Sequence, residues 1–139
     1  MDVSTMRRGH AVKDVRPEHY LEAVYLLSRG AGRTTLSEVA EAVGVKPSSA
    51  HKMLRRLAEE GLVEYKGREG VALTQKGAEY VENMNKAHRA LAEFFKLIGV
   101  EEGLAEAEAE KLEHVVDPRV VEKIAELTTA LKSLLSALR

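Results

Sequence analysis

Apolar and polar positions recur along this chain with two different periods, and the changes of period mark its elements. Pro17 suits the first turn of a helix, where a missing amide hydrogen costs nothing, and Tyr20, Leu21, Val24 and Leu27 then fall on one helical face that runs to Gly30. Thr34 or Thr35 offers a side-chain oxygen to cap a second helix over 36–43. Its inward face is Leu36, Val39, Ala40 and Val43, and Gly44 supplies a left-handed stop. After a tight turn Pro47 opens a third helix. There Ala50, Met53, Leu54 and Leu57 face inward, and Ser49, His51, Lys52, Arg55 and Arg56 face outward until Gly61 ends it. The period then becomes that of strands, with 62–65 and 71–74 flanking a turn at 66–70. Helical spacing returns from Gln75 through Tyr80, Val81, Met84, Ala87, Leu91, Phe94 and Phe95 to a break at Gly99. Two further helices, 101–115 and 118–138, are divided by Asp117-Pro118.

Two short helices about a tight turn, followed by a hairpin, predict a mainly α chain with a small β-hairpin: a winged helix-turn-helix and then a helical domain. The expected boundaries are an N-terminal arm at 1–16, a DNA-binding domain at 17–76 and the helical domain at 77–139. The 139 residues suffice for one compact domain or two small modules.

Charge sharpens this picture because it is unevenly placed. The net charge is only −1, yet 46–68 carries six cations against Glu59, Glu60 and Glu64, while 101–117 carries seven carboxylates against Lys111 alone. In the basic stretch, Lys52, Arg55 and Arg56 fan across the exposed side of the third helix, within reach of phosphates or guanine edges in a major groove. His51 shares that outward side. Lys46, Ser48 and Ser49 surround the start of the helix, where its amides grip phosphate, and Lys66 and Arg68 of the wing could track the DNA backbone or the minor groove, phosphate contact being preferred. Solvation of an exposed face explains such charges equally well when they stand alone. The helix, turn, helix, hairpin order is what favours DNA. Arg7, Arg8 and Lys13 of the arm could touch DNA, although a solubilising tail is the reading preferred, and His10 is left unassigned.

The acidic stretch holds Glu110, Glu113 and His114, whose spacings of three and four place three ligands on one helical face. His19 and Glu22 repeat the spacing on the first helix, and His88 lies on the long helix between. The chain has no cysteine, so a metal must be held by nitrogen and oxygen, a set suited to Mn(II), Fe(II), Co(II) or Zn(II). A solvated Glu-rich face carries the same residues, so a winged-helix regulator that senses no metal is the alternative reading. An enzyme is disfavoured: the spacing is Glu-x-x-Glu-His, His-Glu-x-x-His is absent, and so is a glycine-rich phosphate loop. No apolar run approaches the ~20 residues of a membrane span and the N-terminus has no apolar signal core, so a soluble, cytoplasmic protein with no membrane partner is expected.

Across nearly the whole chain from Pro17, these motifs resemble the DtxR/MntR family of metal-dependent repressors. His19 to Leu26 resembles the family's first helix, 40–49 (AEAVGVKPSS) its helix-turn-helix, and 70–74 (GVALT) with Lys76-Gly77 its wing and the exit from it. His88 stands where the family has a metal-binding histidine, and Glu110, Glu113 and His114 fall on its second ligand cluster. The resemblance implies a repressor that binds double-stranded operator DNA through its N-terminal half. Metal-promoted homodimerisation falls to the C-terminal helices, with a divalent metal, Mn(II) or Fe(II) first, as co-repressor and metal-homeostasis genes as targets. Val120, Val121, Ile124, Leu127 and Leu131 are the expected dimer face, since this helix carries more apolar surface than a small domain leaves exposed. Glu110 follows the manganese-type pattern, whereas His19 replaces the aspartate of manganese-type and the methionine of iron-type members. An added imidazole softens the site and keeps Zn(II) and Co(II) in play. The chain resembles the short members that have no SH3-like domain.

Overall fold

Each helix of the first half starts and stops at a residue whose chemistry explains it. The computed structural model describes residues 16–138, so the arm residues Arg7, Arg8, His10 and Lys13 lie outside them. The described elements are α1 (Pro17–Leu27), α2 (Leu36–Val43), α3 (Pro47–Glu59), β1 (Val63–Tyr65), β2 (Val71–Leu73), α4 (Gln75–Leu97), α5 (Glu102–Leu112) and α6 (Pro118–Ala137), with a 3-10 turn at Gly67–Glu69 inside the hairpin. Of the two candidate caps for α2, Thr35 accepts from the Glu38 amide at 3.1 Å, while buried Thr34 donates to the Glu38 carboxylate at 2.6 Å. Gly44 ends α2 at φ 87°, the left-handed stop.

The hairpin is antiparallel, pairing Val63 with Leu73, Glu64 with Ala72 and Tyr65 with Val71. Thr34 adds a single bridge to Val71, exchanging two backbone bonds of 2.8 Å each. The segment before α2 thus ties the wing to the helices. Arg33 reinforces it, donating to the Glu69 carbonyl at the wing tip at 2.5 Å.

Val24, Val39, Val43, Leu54, Leu57, Val71 and Val81 are fully buried in the first core, with Tyr80 packed against them. Each such leucine contributes about 1.5–3 kcal/mol by leaving water. The division into two compact units falls between Val81 and Glu82, inside α4, because Tyr80 and Val81 still belong to this first core. Tyr80 also donates to Glu18 of α1 at 3.0 Å, and burial first, then the Glu18 charge, pushes its hydroxyl up to about 12. The second unit has its own core of Leu91, Ala92 and Ala109, with Phe95, Leu112, Val116 and Ile124 packed around them.

Several boundaries differ from those the spacing predicts. α1 stops at Leu27, before Gly30, because the Ser28 hydroxyl turns back onto the Val24 carbonyl at 2.6 Å. Leu36 and Met53, expected inward, are half-buried. Thr74, expected in a strand, caps α4 by accepting from the Gly77 amide at 3.0 Å. α5 ends at Leu112 rather than 115. Beyond it stand two β-branched valines and Asp117-Pro118, where the proline bars helical geometry at Asp117 and Asp117 caps α6 by accepting from the Arg119 amide at 2.8 Å.

Gly77 lies where the start of α4 crosses the hairpin's first strand, and a Cβ there would stand 2.1 Å from the Leu62 carbonyl oxygen, a backbone atom that cannot swing aside. In an ordinary exposed helix, glycine to alanine stabilises by about 1 kcal/mol. Gly77→Ala should do the reverse and cost about 2 kcal/mol or more, read as a lowered thermal midpoint. A raised midpoint would show that this approach is not close.

Candidate nucleic-acid interface and metal centre

Burial of Ala50, Leu54 and Leu57 on one side of α3 leaves Ser48, His51, Lys52 and Arg55 exposed together on the opposite side. Lys46 is the exposed N-cap residue, and Pro47, Ser48 and Ser49 form the first turn, in which the Ser48 and Ser49 amides have no partner within the helix. Ser49 and Arg56 lie at the flank of this face. Arg56 is shared with Glu60 at 3.3 Å, whereas Lys52 and Arg55 make no ion pair among the described residues. His51 is not free to turn: its Nδ1 lies 2.7 Å from the Tyr65 hydroxyl of β1. In the wing, Lys66 and Arg68 are both exposed around the Gly67–Glu69 turn.

The six candidate metal ligands divide between the two units. In the first, His19 and Glu22 are half-buried on α1; His19 Nδ1 accepts from the Arg16 amide at 3.1 Å and the His19 amide donates to the Arg16 carbonyl at 2.9 Å. In the second, His88 lies on α4, Glu110 in the last turn of α5, Glu113 at its C-cap and His114 in the turn that follows. The earlier end of α5 leaves Glu113 in helical backbone geometry, so the spacing still carries its side chain to the side of Glu110.

His88 is held at both ring nitrogens. Nδ1 lies 2.7 Å from Glu113 Oε1 and Nε2 lies 2.7 Å from Glu106 Oε1, while the other Glu106 oxygen accepts from Lys96 at 2.6 Å. Two carboxylates facing one imidazole are both satisfied only if the ring is protonated and donates twice. Burial alone would lower the His88 pKa, but the hydrogen bonds and charges of Glu106 and Glu113 outweigh it and raise it above the ordinary histidine value. Lys96 first, and then His88, hold the Glu106 carboxyl below its ordinary value. The stabilisation carried by the His88 proton is therefore full below the ordinary histidine pKa and is lost as pH rises through the raised one.

Among the described residues no three donors converge as a metal cage in this conformation. The residues nevertheless fit one. His114 Nδ1 is buried with no hydrogen-bond partner, and the Glu113 side chain, only 10% exposed, already faces an imidazole nitrogen. A buried nitrogen without a donor or acceptor is costly unless a ligand completes it. Glu106, Lys96 and Tyr65 were not foreseen from the sequence. Glu106 carried a legible signal, since it lies four and seven residues before Glu110 and Glu113 and so on the same helical face.

On α6, Val121 and Thr128 are buried and Ile124 and Leu131 half-buried, while Val120, Leu127, Leu134 and Leu138 are 49–73% exposed. That row of apolar side chains is larger than isolated surface leucines account for.

Residues 15–71 match the family described as iron dependent repressor, N-terminal DNA binding domain, and residues 74–133 match its metal binding and dimerisation domain. The chain is similar to the HTH-type transcriptional regulator MntR of Lysinibacillus sphaericus (strain C3-41), 32% identical over 115 residues that cover 83% of each protein. Among solved structures it is similar to a hypothetical protein, SSo2273, from Sulfolobus solfataricus, with a TM-score of 0.72 over 79% of this chain and 84% of that one. At 22% identity that likeness speaks to the fold alone. It is also similar to a manganese-dependent transcriptional repressor in complex with manganese, at 29% identity and a TM-score of 0.65, covering 82% of this chain. The chain spans about half that repressor's length, 53%.

The metal-free protein offers a direct check on the His88 cluster. An NMR titration should place the His88 midpoint above that of an exposed histidine, and Glu106→Gln should lower it by removing one of the two charges that favour the cation. A midpoint that Glu106→Gln leaves in place would mean that Glu106 does not hold the ring in solution.

Proposed function

Because this chain belongs to the iron-dependent repressor family, we propose that it is a metal-dependent transcriptional repressor that binds operator DNA as a homodimer. The observation that carries the metal half of this reading is His88 set against Glu113, next in sequence to a His114 whose ring nitrogen is buried and unsatisfied. His88, Glu110, Glu113 and His114 would hold an ion in the helical unit, and His19 and Glu22 are the candidate donors of the first unit, on α1. The ion is a divalent transition metal, Mn(II) or Fe(II) first. The imidazole of His19 leaves Zn(II) and Co(II) as competitors. When bound, the metal would supply to the carboxylates the positive charge that the His88 proton supplies without it. This chain's own residues do the rest: Glu113 gives up its hydrogen bond to His88, and the His88 proton is released.

The DNA half rests on the exposed face of α3. Ser48, His51, Lys52 and Arg55 enter the major groove, and Lys46, Ser49, Arg56, Lys66 and Arg68 grip phosphates around it. The second unit provides the dimer face, with Val120, Leu127 and Leu131 on α6; Val121 and Ile124, expected there from the spacing, turn instead into their own unit, where Val121 is buried and Ile124 packs against the second core. The family is one of repressors, and we assign the Glu/His cluster to sensing and to no catalytic step. Among the described residues no helix is long and apolar enough to cross a membrane, and the cytoplasm is the compartment we propose for the protein.

Fluorescence anisotropy with duplex DNA selected from a random library tests the reading. Binding should appear with Mn(II), Fe(II), Co(II) or Zn(II), vanish with chelator, and be lost in Glu113→Ala at metal concentrations that saturate the wild type. Binding indifferent to chelator would leave a winged-helix DNA binder that senses no metal. Reversing Lys52 and Arg55 to Glu should weaken binding by at least about tenfold without lowering the thermal midpoint. Retained affinity would move the interface off α3.

A further inference from the structure

We propose that Tyr65 is a positioning residue for base reading: its hydroxyl fixes the polarity of His51, so that His51 presents a hydrogen-bond donor, Nε2–H, to the DNA. This inference rests on the DNA-binding reading and extends it from the helix to the wing strand. His51 Nδ1 and the Tyr65 hydroxyl are 2.7 Å apart, and the rings meet edge-on with centroids 5.5 Å apart and 70° between their planes. The two partners are held very differently. His51 is exposed on the face that carries Ser48, Lys52 and Arg55. Tyr65 is the half-buried last residue of β1, paired with Val71, and its ring packs against the first core. A phenol anchored in the core thus reaches a solvent-facing imidazole.

Which partner donates follows from acid and base strength. A phenolic hydroxyl is a stronger donor than the N–H of a neutral imidazole, and the bare imidazole nitrogen is a stronger acceptor than a phenolic oxygen. The hydroxyl therefore donates to Nδ1, and the ring's own proton resides on Nε2, at the opposite end of the ring. In the major groove a donor is matched by guanine O6 or N7, adenine N7 or thymine O4, and is opposed by the amino groups of cytosine and adenine. An unassisted histidine reads either sign. One fixed by Tyr65 reads acceptors.

The experiment has two arms, both on the full chain. A long-range 1H–15N spectrum of the DNA-free protein records the His51 tautomer, and selection from a randomised duplex library in the presence of Mn(II) records base preferences for wild type, Tyr65→Phe and His51→Ala. Expected are the Nε2–H tautomer in the wild type and a mixture of tautomers in Tyr65→Phe. Both variants should lose about fivefold in discrimination at the same base position of each half-site, with the other positions kept. His51 is exposed, so His51→Ala preserves the test if Tyr65→Phe lowers the thermal midpoint. The Nδ1–H tautomer in the wild type, or a uniform loss of affinity with unchanged base preferences, overturns the proposal and reduces the contact to one that merely holds the wing or a phosphate. Failure of the wild type to select any sequence overturns the DNA-binding reading, and this inference with it, before any variant is compared.

Discussion

The first unit is organised by a packing constraint on α3. Ala50, Leu54 and Leu57 must all leave water, and on a helix only one side can do so. Val24, Val39, Val43 and Val71 complete the pocket that receives them, so α1, α2 and the wing are arranged around that one apolar stripe. The residues left on the other side inherit a fixed orientation at no further cost in side-chain order. A polar face presented on a well-packed helix is more useful for recognition than the same residues on a loop, since its spacing is set before any ligand arrives. Two features keep the wing in step with it. Gly77 lets the start of α4 cross the Leu62 backbone, and Thr34 pairs with Val71.

The second unit is governed by charge more than by packing. Its core is small, and a chain of polar contacts runs from Lys96 through Glu106 and His88 to Glu113. Four charged groups in series, alternating in sign, compensate one another in the absence of any ion. His114 stands outside this series with a ring nitrogen that nothing in the described chain satisfies. Paired charges beside one unsatisfied ring nitrogen leave the cluster with a free ligand at its edge, as a sensing site requires.

Much of this was legible in the sequence because the relevant signals are local. The helical period of Ala50, Leu54 and Leu57, the caps at Thr35 and Gly44 and the strand alternation around the turn at 66–70 all act within a few residues. What escaped was set by partners distant in sequence. Thr74 reads as a strand residue because the Gly61 carbonyl that accepts from its hydroxyl lies 13 positions away. Tyr65 reads as a plain strand aromatic because its partner is 14 positions away. Glu106 looked like one more residue of a solvated acidic helix, although its spacing to Glu110 and Glu113 was available, since its partner His88 lies 18 residues away. The end of α5 falls three residues before the one the spacing predicts: Glu113 still donates to the Ala109 carbonyl, but Val115 already takes the tighter bond to Leu112 that turns the chain.

The salt link from Lys96 to Glu106 joins the His88 cluster to a lysine outside the proposed ligand set. Its partner Glu106 is not one of the six candidate ligands either, so the ammonium bears on the donors through charge and not by occupying their place. Replacing Lys96 would leave every proposed nitrogen and oxygen donor where it is while changing the charge around His88, which makes an exposed lysine a handle on the cluster that is separate from its ligands.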